Sequence, residues 1–272
     1  MKLGTISRIA VAVMMGHAMA TAAPLRVMLW NIHHGEGTDG KIDLQRIADV
    51  IGKESPDVVM LQEVDRNMPR SGKVDQASEL ARLLRMNSVF GKAVGFGEGE
   101  YGLAVLSRGR IVSGKVHPLP GEAGEPRIGF EVVLEHAGES ITVVNTHLDH
   151  QSDERRLAQA QAVAQLALDS PKAVLAGDFN DVPVSPVMNA VTALWIPVEK
   201  TEPKATSPSH RPKHEIDHIL FRGLRVVEKA VVLKEARASD HRAVVALLDT
   251  SDEPPPAGEG DAPEPAEAET TE

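Results

Sequence analysis

The chain has 272 residues, a formal net charge of −10, no cysteine and 3% aromatic residues. Without cysteine there is no disulfide framework, no thiol nucleophile and no zinc–thiolate cluster. Nine acids and no base lie from Asp249 onward, and Lys2 and Arg8 stand in the first 23 residues, so residues 24–248 carry about −3. That near-neutral body with few aromatics argues against a grip on long nucleic acid, which needs basic stripes and stacking platforms.

Residues 1–23 pair Lys2 and Arg8 with an apolar run over 9–15 and small residues over 18–23. This is the pattern of a secretory signal peptide cleaved near 20–23; a retained anchor fits less well, because Gly16 and His17 break the short run. The mature protein is expected to be exported, periplasmic or secreted, monomeric, and without stable membrane insertion after processing. One folded domain is expected over 24–250. Residues 251–272 are rich in Pro, Ala and acids, with no aliphatic residue larger than Ala, and read as a disordered tail.

In chain order, a β-rich run over 25–30 leads to Asn31. Asp43 then caps a helix with Leu44, Ile47, Val50 and Ile51 at helical spacing, and a strand over 58–61 leads to Glu63. Strand, helix, strand in this arrangement makes parallel neighbours, so Asn31 and Glu63 are expected at the same end of the sheet. Asp75 caps a second helix through Met86. Short apolar runs at 89–90, 102–106, 111–119, 128–134 and 141–146, with turn signals at 108–110 and 137–139, predict antiparallel strands.

Ser152 or Asp153 starts a helix to about Asp169, and a strand follows over 172–176. Gly177 is expected to turn the backbone sharply, so that Asp178 and Asn180 project from the strand end while Phe179 points into the core. A short helix from Ser185 and strands over 216–221, 224–233 and 243–248 complete the domain. The reading is an α/β fold of two packed mixed sheets with helices outside and a site at one rim.

The apolar runs end in polar residues too often for chance turns: Trp30-Asn31-Ile32-His33-His34, Leu61-Gln62-Glu63-Val64-Asp65, Val144-Asn145-Thr146-His147-Leu148, Ala176-Gly177-Asp178-Phe179-Asn180, Ile216-Asp217-His218 and Ser239-Asp240-His241. A series of such endings predicts strand ends that meet around a polar pocket. A carboxylate there can take a proton from water or hold a cation, and an amide can donate to an oxyanion.

These motifs, in this order, resemble the endonuclease/exonuclease/phosphatase family, the metal-dependent phosphoesterases with the fold of deoxyribonuclease I. The resemblance spans residues 25–245, essentially the whole folded part. It implies a four-layer sandwich with two central mixed sheets. It also implies Glu63 as ligand of Mg²⁺ or Mn²⁺, Asp240 at the same or a nearby metal, and Asn31 binding metal or phosphate. Asp178 would orient and deprotonate the attacking water. Asn180 and His147 would donate to phosphoryl oxygens, and His241, oriented by Asp217, would do the same or assist the leaving group.

Arg127 and Tyr101 are the expected substrate contacts, while His33, His34 and His218 lie near the motifs without an assigned role. The segment 101–108 departs from the family at Leu103, where a polar residue, commonly Asn, is expected; an apolar residue there bears on the shape of the pocket, and so on the substrate rather than on catalysis. Within the family, the opening over 31–44, the loop over 70–76 and the segment 101–108 look like the small exported bacterial branch, which is also similar to the C-terminal domain of eukaryotic proteins that remodel the lipid of GPI anchors. The implied activity is hydrolysis of a small or lipid-linked phosphodiester. The alternatives are an extracellular nuclease and a non-catalytic binding module that keeps the fold.

Overall fold

The computed structural model describes residues 23–121 and 124–251. All but the last residue of the expected signal peptide, and all of the expected tail beyond Ser251, lie outside the described residues. Twelve strands form two six-stranded sheets. The first takes the order β11, β12, β1, β2, β4, β3, built from Arg225–Val232, Val244–Asp249, Leu25–Asn31, Val58–Arg66, Gly99–Ser107 and Asn87–Phe96. The second takes the order β5, β6, β7, β8, β10, β9, built from Ile111–Pro118, Ile128–His136, Glu139–His147, Ala173–Asp178, Asp217–Arg222 and Ile196–Pro197.

Helices cover the outer faces. Helix α1 (Leu44–Glu54) and α2 (Gln76–Leu84) lie on the first sheet; α3 (Asp153–Val163) and α4 (Pro186–Thr192) lie on the second. Each starts at a side-chain cap, with Asp43, Asp75, Ser152 and Ser185 accepting from the amides of Arg46, Ser78, Arg155 and Met188. Such caps satisfy amides that have no intrahelical partner and stabilise a helix by about 1 kcal/mol each. Between the sheets lies one apolar layer, including Leu29, Met60, Val105, Phe130, Val143, Val174 and Val244. The four-layer α/β/β/α sandwich expected from the sequence is therefore the fold.

Topology brings the polar strand ends together. The pairs β1–β2 and β7–β8 are parallel, joined through α1 and α3 respectively, so each pair points its C-terminal ends the same way. Strands β12 and β10 run antiparallel to β1 and β8, so their first residues lie at that same rim. Asp217 stands directly opposite Asp178 in the β10–β8 register.

Three local expectations are corrected. Strand β2 does not stop at Leu61 but continues to Arg66 through an irregularity between Leu61 and Val64, which leaves Glu63 in the left-handed region at φ 56°. A bulge of this kind bends the strand and re-aims a side chain. Gly177 is not the turn: it lies inside β8, where a Cβ would come within 2.2 Å of the Thr146 carbonyl oxygen, and the left-handed turn residue is Asn180 (φ 52°). Helix α3 ends at Val163 rather than near Asp169, since the Trp195 indole captures the Ala164 carbonyl (2.9 Å) and Ala167 turns left-handed. Leu103 packs in the inter-sheet core and lines a small cavity behind the rim with Tyr101, Arg127 and His147, three residues that also line the rim pocket.

Candidate active site

Asp178, at the end of β8, is the centre of the rim. Its Oδ1 accepts from the Asn180 amide (2.9 Å), and its Oδ2 accepts from Asn31 Nδ2 (3.1 Å). Two imidazoles face the same oxygen: His147 Nε2 at 3.6 Å, from the end of β7, and His241 Nε2 at 3.7 Å, from the turn before β12. Phe179 is fully buried and Asn180 Nδ2 donates to the Leu148 carbonyl (3.0 Å), so this turn is pinned on both sides. Asn180 thus contributes to the site chiefly by holding the backbone that orients Asp178.

Asn31 joins the two sheets. The same Nδ2 that donates to Asp178 donates to Glu63 Oε1 (3.0 Å), while Oδ1 accepts from the His33 amide (3.1 Å). The expected proximity of Asn31 and Glu63 is realised, with the amide set between two carboxylates. Behind it, Ser239 Oγ donates to the Asn31 carbonyl (2.7 Å), and the Trp30 indole donates to the His241 carbonyl (3.0 Å).

Electrostatics separates the titrating groups. Burial, and then the charge of Asp217, push the Asp178 carboxyl up, against the opposing pull of His241. Burial disfavours charge on His241, yet Asp217 and Asp178 outweigh it and raise the ring to about 10. His241 Nδ1 sits 2.9 Å from Asp217 Oδ2, and that carboxyl is held down by the ring against its own burial. His147 is pushed well below its ordinary value by burial, then by Arg127, His241 and His150, and stays neutral. The outcome is a basic carboxylate beside one neutral and one charged imidazole.

The rim pocket has a volume of about 390 Å³ and is markedly polar. Of the residues expected from the sequence, Glu63, Tyr101, Arg127, His147, Asp178, Asn180 and His241 line it; Asn31 and Asp217 stand behind, as partners of Asp178 and His241. Arg127 is buried, with Nη1 3.0 Å from Glu125, and its guanidinium contacts His150 Nδ1 at 3.4 Å. Asp240 is not among the lining residues: its carboxylate lies 3.3 Å from Ser239 Oγ, and its carbonyl accepts from the Ser209 amide (2.6 Å). His218 faces away, with Nε2 at 2.9 Å from the Asp181 carbonyl and Nδ1 at 3.4 Å from Lys200.

Sequence reasoning missed Arg70, Phe96, Glu125 and His150 as lining residues. Arg70, Glu125 and His150 lie in connecting segments and Phe96 is the last residue of β3 at a hairpin tip, positions that carry no periodic signal. Arg70 is fixed by a two-point grip on the fully buried Asp65 (2.9 and 2.7 Å), to which Ser71 Oγ also donates (2.8 Å). A second missed feature supports the floor. Gln62 Nε2 donates to Asn145 Oδ1 (2.6 Å), and Asn145 Nδ2 donates to the carbonyls of Leu61 and Ala104 (2.9 and 3.0 Å). All of these are buried, and they tie the bulge beside Glu63 to the opposite sheet.

The donor chemistry fits a divalent cation. Glu63 faces the pocket, has no ion pair among the described residues, and shares Asn31 with a second carboxylate. Among the described residues, two sets of metal-competent side chains bring one ligand atom each to within 4.8 Å of one another: His33, His34 and Glu63, and Asp178, Asp217 and His241. Asp240 belongs to neither.

The model of the Endonuclease/Exonuclease/phosphatase family matches residues 28–241. The chain belongs to that family. Among solved structures, an endonuclease/exonuclease/phosphatase from Beutenbergia cavernae superposes with a TM-score of 0.71 at 30% identity, over 83% of this chain and 71% of that one. A mannosyl-6-phosphatase from Bacteroides thetaiotaomicron shares the fold at 20% identity, with a TM-score of 0.70 over 82% of this chain and 99% of that one. The chain is also 30% identical over 145 residues to the Protein cwh43 of Schizosaccharomyces pombe, a match that spans 53% of this chain but only 15% of that protein. Members of the endonuclease/exonuclease/phosphatase family are metal-dependent hydrolases of phosphoesters, and the rim described above occupies the matched segment.

Proposed function

We propose that this protein is an exported phosphodiesterase that hydrolyses a small or lipid-linked phosphodiester by direct attack of water. The observation that carries this reading is the surrounding of Asp178: a buried carboxylate with raised proton affinity, held by Asn31 and the Asn180 amide and faced by His147 and His241. Glu63 would hold the cation, Mg²⁺ or Mn²⁺, and Asn31 positions Glu63 against Asp178. When bound, such an ion neutralises phosphoryl charge as a Lewis acid.

The chain's own residues supply the rest. Asp178 accepts the proton of the attacking water as its oxygen bonds to phosphorus and the ester P–O bond breaks, the leaving oxygen taking a proton from solvent water to depart as the alcohol. His241, kept charged by Asp217, donates its Nε2–H to a phosphoryl oxygen, and neutral His147 supplies a second hydrogen bond. Arg127 and Arg70 line the wall where an anionic group lies, and Tyr101 sits under Arg70 with the guanidinium carbon 5.4 Å from its ring centre. No covalent intermediate on the enzyme is needed.

Choice of substrate follows from charge and shape. The folded part carries about −3, and the pocket is of headgroup size rather than an open basic groove. Export is inferred from the basic, apolar and small-residue runs over 1–23. The test is a panel with divalent metal: bis-p-nitrophenyl phosphate, sphingomyelin, phosphoinositides, sugar phosphates, RNA, and single-stranded and plasmid DNA. A small or lipid-linked diester should be cleaved fastest. Plasmid as the best substrate at physiological salt would overturn the substrate assignment and make the protein a nuclease, and no cleavage of any member would overturn the enzymatic reading.

A further inference from the structure

We propose that His33, His34 and Glu63 form one metal site of two imidazoles and a carboxylate, which selects a transition-metal ion over Mg²⁺, a reading that builds on the metal role of Glu63 proposed above. One donor atom from each lies within 4.8 Å of the other two. An ion with bonds of roughly 2.0–2.2 Å places neighbouring donors about 3 Å apart and opposite donors about 4.4 Å apart, so small side-chain adjustments close the set.

The imidazoles are prepared for ligation. His34 is 8% exposed, and its Nδ1 is buried without a hydrogen-bond partner. A buried ring nitrogen left unpaired is costly, and a metal is a partner that uses its lone pair. The other ring nitrogen, Nε2, lies 3.5 Å from the Glu36 carboxylate. His33 presents its Nδ1 to the Glu36 carbonyl at 3.4 Å, which leaves Nε2 as the free lone pair when Nδ1 carries the proton. Glu36 thus contacts one nitrogen of each ring, the kind of partner by which metal-bound histidines have their tautomer and orientation fixed.

Backbone conformation points the same way. His33, His34 and Glu63 all adopt left-handed φ, at 45°, 43° and 56°, although none is glycine. Each such residue is held in a strained conformation that the surrounding structure must maintain. Here the Gln76 amide grips the His34 carbonyl (2.7 Å) and the His33 amide is tied to Asn31 (3.1 Å). Mg²⁺ prefers oxygen and keeps its waters, whereas imidazole suits transition metals, with affinity rising from Mn²⁺ through Fe²⁺ to Co²⁺.

The test uses the metal-stripped full chain titrated with Co²⁺ in competition with Mg²⁺, followed by visible absorption and by the proton NMR signals of imidazole N–H groups shifted by the bound paramagnetic ion. Wild type should bind Co²⁺ at least tenfold more tightly than Mg²⁺ and show two such exchangeable signals. In His33→Asn/His34→Asn, chosen because Asn tolerates left-handed φ, both signals should vanish and the Co²⁺ preference should fall by tenfold or more, with Mg²⁺ affinity kept. The wild-type spectrum decides the matter even if that variant folds poorly: bound Co²⁺ without imidazole signals overturns the site, as do signals that persist in the variant. Glu63→Gln separates the two readings. Loss of all metal binding in Glu63→Gln, with no imidazole signal in wild type, leaves the carboxylate role standing and removes the histidines; unchanged binding in Glu63→Gln removes both.

Discussion

Replacing Asn145 by Leu removes the polar joint between the two sheets while keeping the number and branching of side-chain heavy atoms. Asn145 is fully buried, and its amide serves three groups: the Leu61 carbonyl at 2.9 Å, the Ala104 carbonyl at 3.0 Å and Gln62 Nε2 at 2.6 Å. A buried group that loses its partner costs about 1–3 kcal/mol. Gln62 Nε2 keeps only the Met60 carbonyl at 3.3 Å, and Gln62 Oε1 has no partner to begin with, so local rearrangement offers little relief. The Leu61 and Ala104 carbonyls lose their side-chain donor outright and Gln62 Nε2 loses the shorter of its two acceptors, so at the low end of that range the loss is about 2 kcal/mol, and at about 2–4 °C per kcal/mol for a domain of this size the melting temperature should fall by about 4–8 °C. Urea unfolding and thermal melts followed by circular dichroism measure both quantities. Because the joint anchors the bulge that carries Glu63 and lies two residues before His147, kcat should fall at least tenfold, with KM less affected. A loss below about 1 kcal/mol would refute the reasoning. The companion Gln62→Leu should be less than additive with Asn145→Leu, since each removes part of one network.

Glu63→Gln and Asp178→Asn should each lower turnover by orders of magnitude with melting temperatures close to wild type, since both side chains face the pocket rather than the apolar layers; near-wild-type turnover in both would show the site to be misplaced. Asp217→Asn should drop the His241 titration by several pH units from about 10, as read by imidazole NMR. The sign for stability follows: a ring raised in the folded state stabilises fully below its unfolded value near 6.5 and loses that contribution as pH rises through 10, so the variant should be less stable at pH 6 and nearly equal to wild type above pH 10. His218 gives the opposite slope. Burial and then Lys200 lower it to about 3, so the unfolded ring takes up protons first and stability falls by about 1.4 kcal/mol per pH unit between 6.5 and 3. His218→Asn should flatten the slope by that amount, and an unchanged slope would remove His218 as its source. Finally, NaCl raised to physiological strength should suppress any plasmid cleavage steeply and leave cleavage of a small diester almost unchanged; equal salt dependence would count against recognition by the pocket.

Periodicity and caps made the sandwich legible. Leu44, Ile47, Val50 and Ile51 recur as one helical face and are buried or packed against the core of the first sheet, and every helix begins at the side-chain cap that the sequence advertises. What stayed hidden was irregular backbone. Nothing in Leu61-Gln62-Glu63 announces a bulge, because Glu has no preference for left-handed φ, and the two-residue strand Ile196–Pro197 is too short to show alternation. Asn180 could have been read correctly: Asn tolerates left-handed φ better than most residues, and the glycine before it drew the turn to the wrong place. Gln62 and Asn145 stand in the motifs that carry Glu63 and His147, yet only the packing of one sheet on the other shows that they meet.

The way the site is divided between strands and loops has a consequence for specificity. Asn31, Glu63, His147, Asp178 and Asp217 all belong to strands, and His241 stands just before one, so their positions are set by the sheet registers and by the cross-sheet contacts of Asn31 and Asn145. Arg70, Phe96, Glu125 and His150 come from connecting segments and a hairpin tip, and they line the same pocket. Changes among the first group alter the position of a base or a donor by ångströms and should abolish turnover on every substrate alike. Changes among the second leave that geometry intact and should redistribute activity between substrates. Phe96 makes the sharpest case, because it is half exposed and apolar at the edge of an otherwise polar pocket. A lipid-linked diester would present acyl or ceramide carbon to such an edge, whereas a water-soluble diester would not. Phe96→Ser should therefore lower kcat/KM for a lipid-linked diester in mixed micelles at least tenfold while leaving bis-p-nitrophenyl phosphate within about twofold. Parallel loss on both substrates would instead mean that Phe96 shapes the catalytic floor, and no loss on either would mean that the apolar edge is not used in recognition.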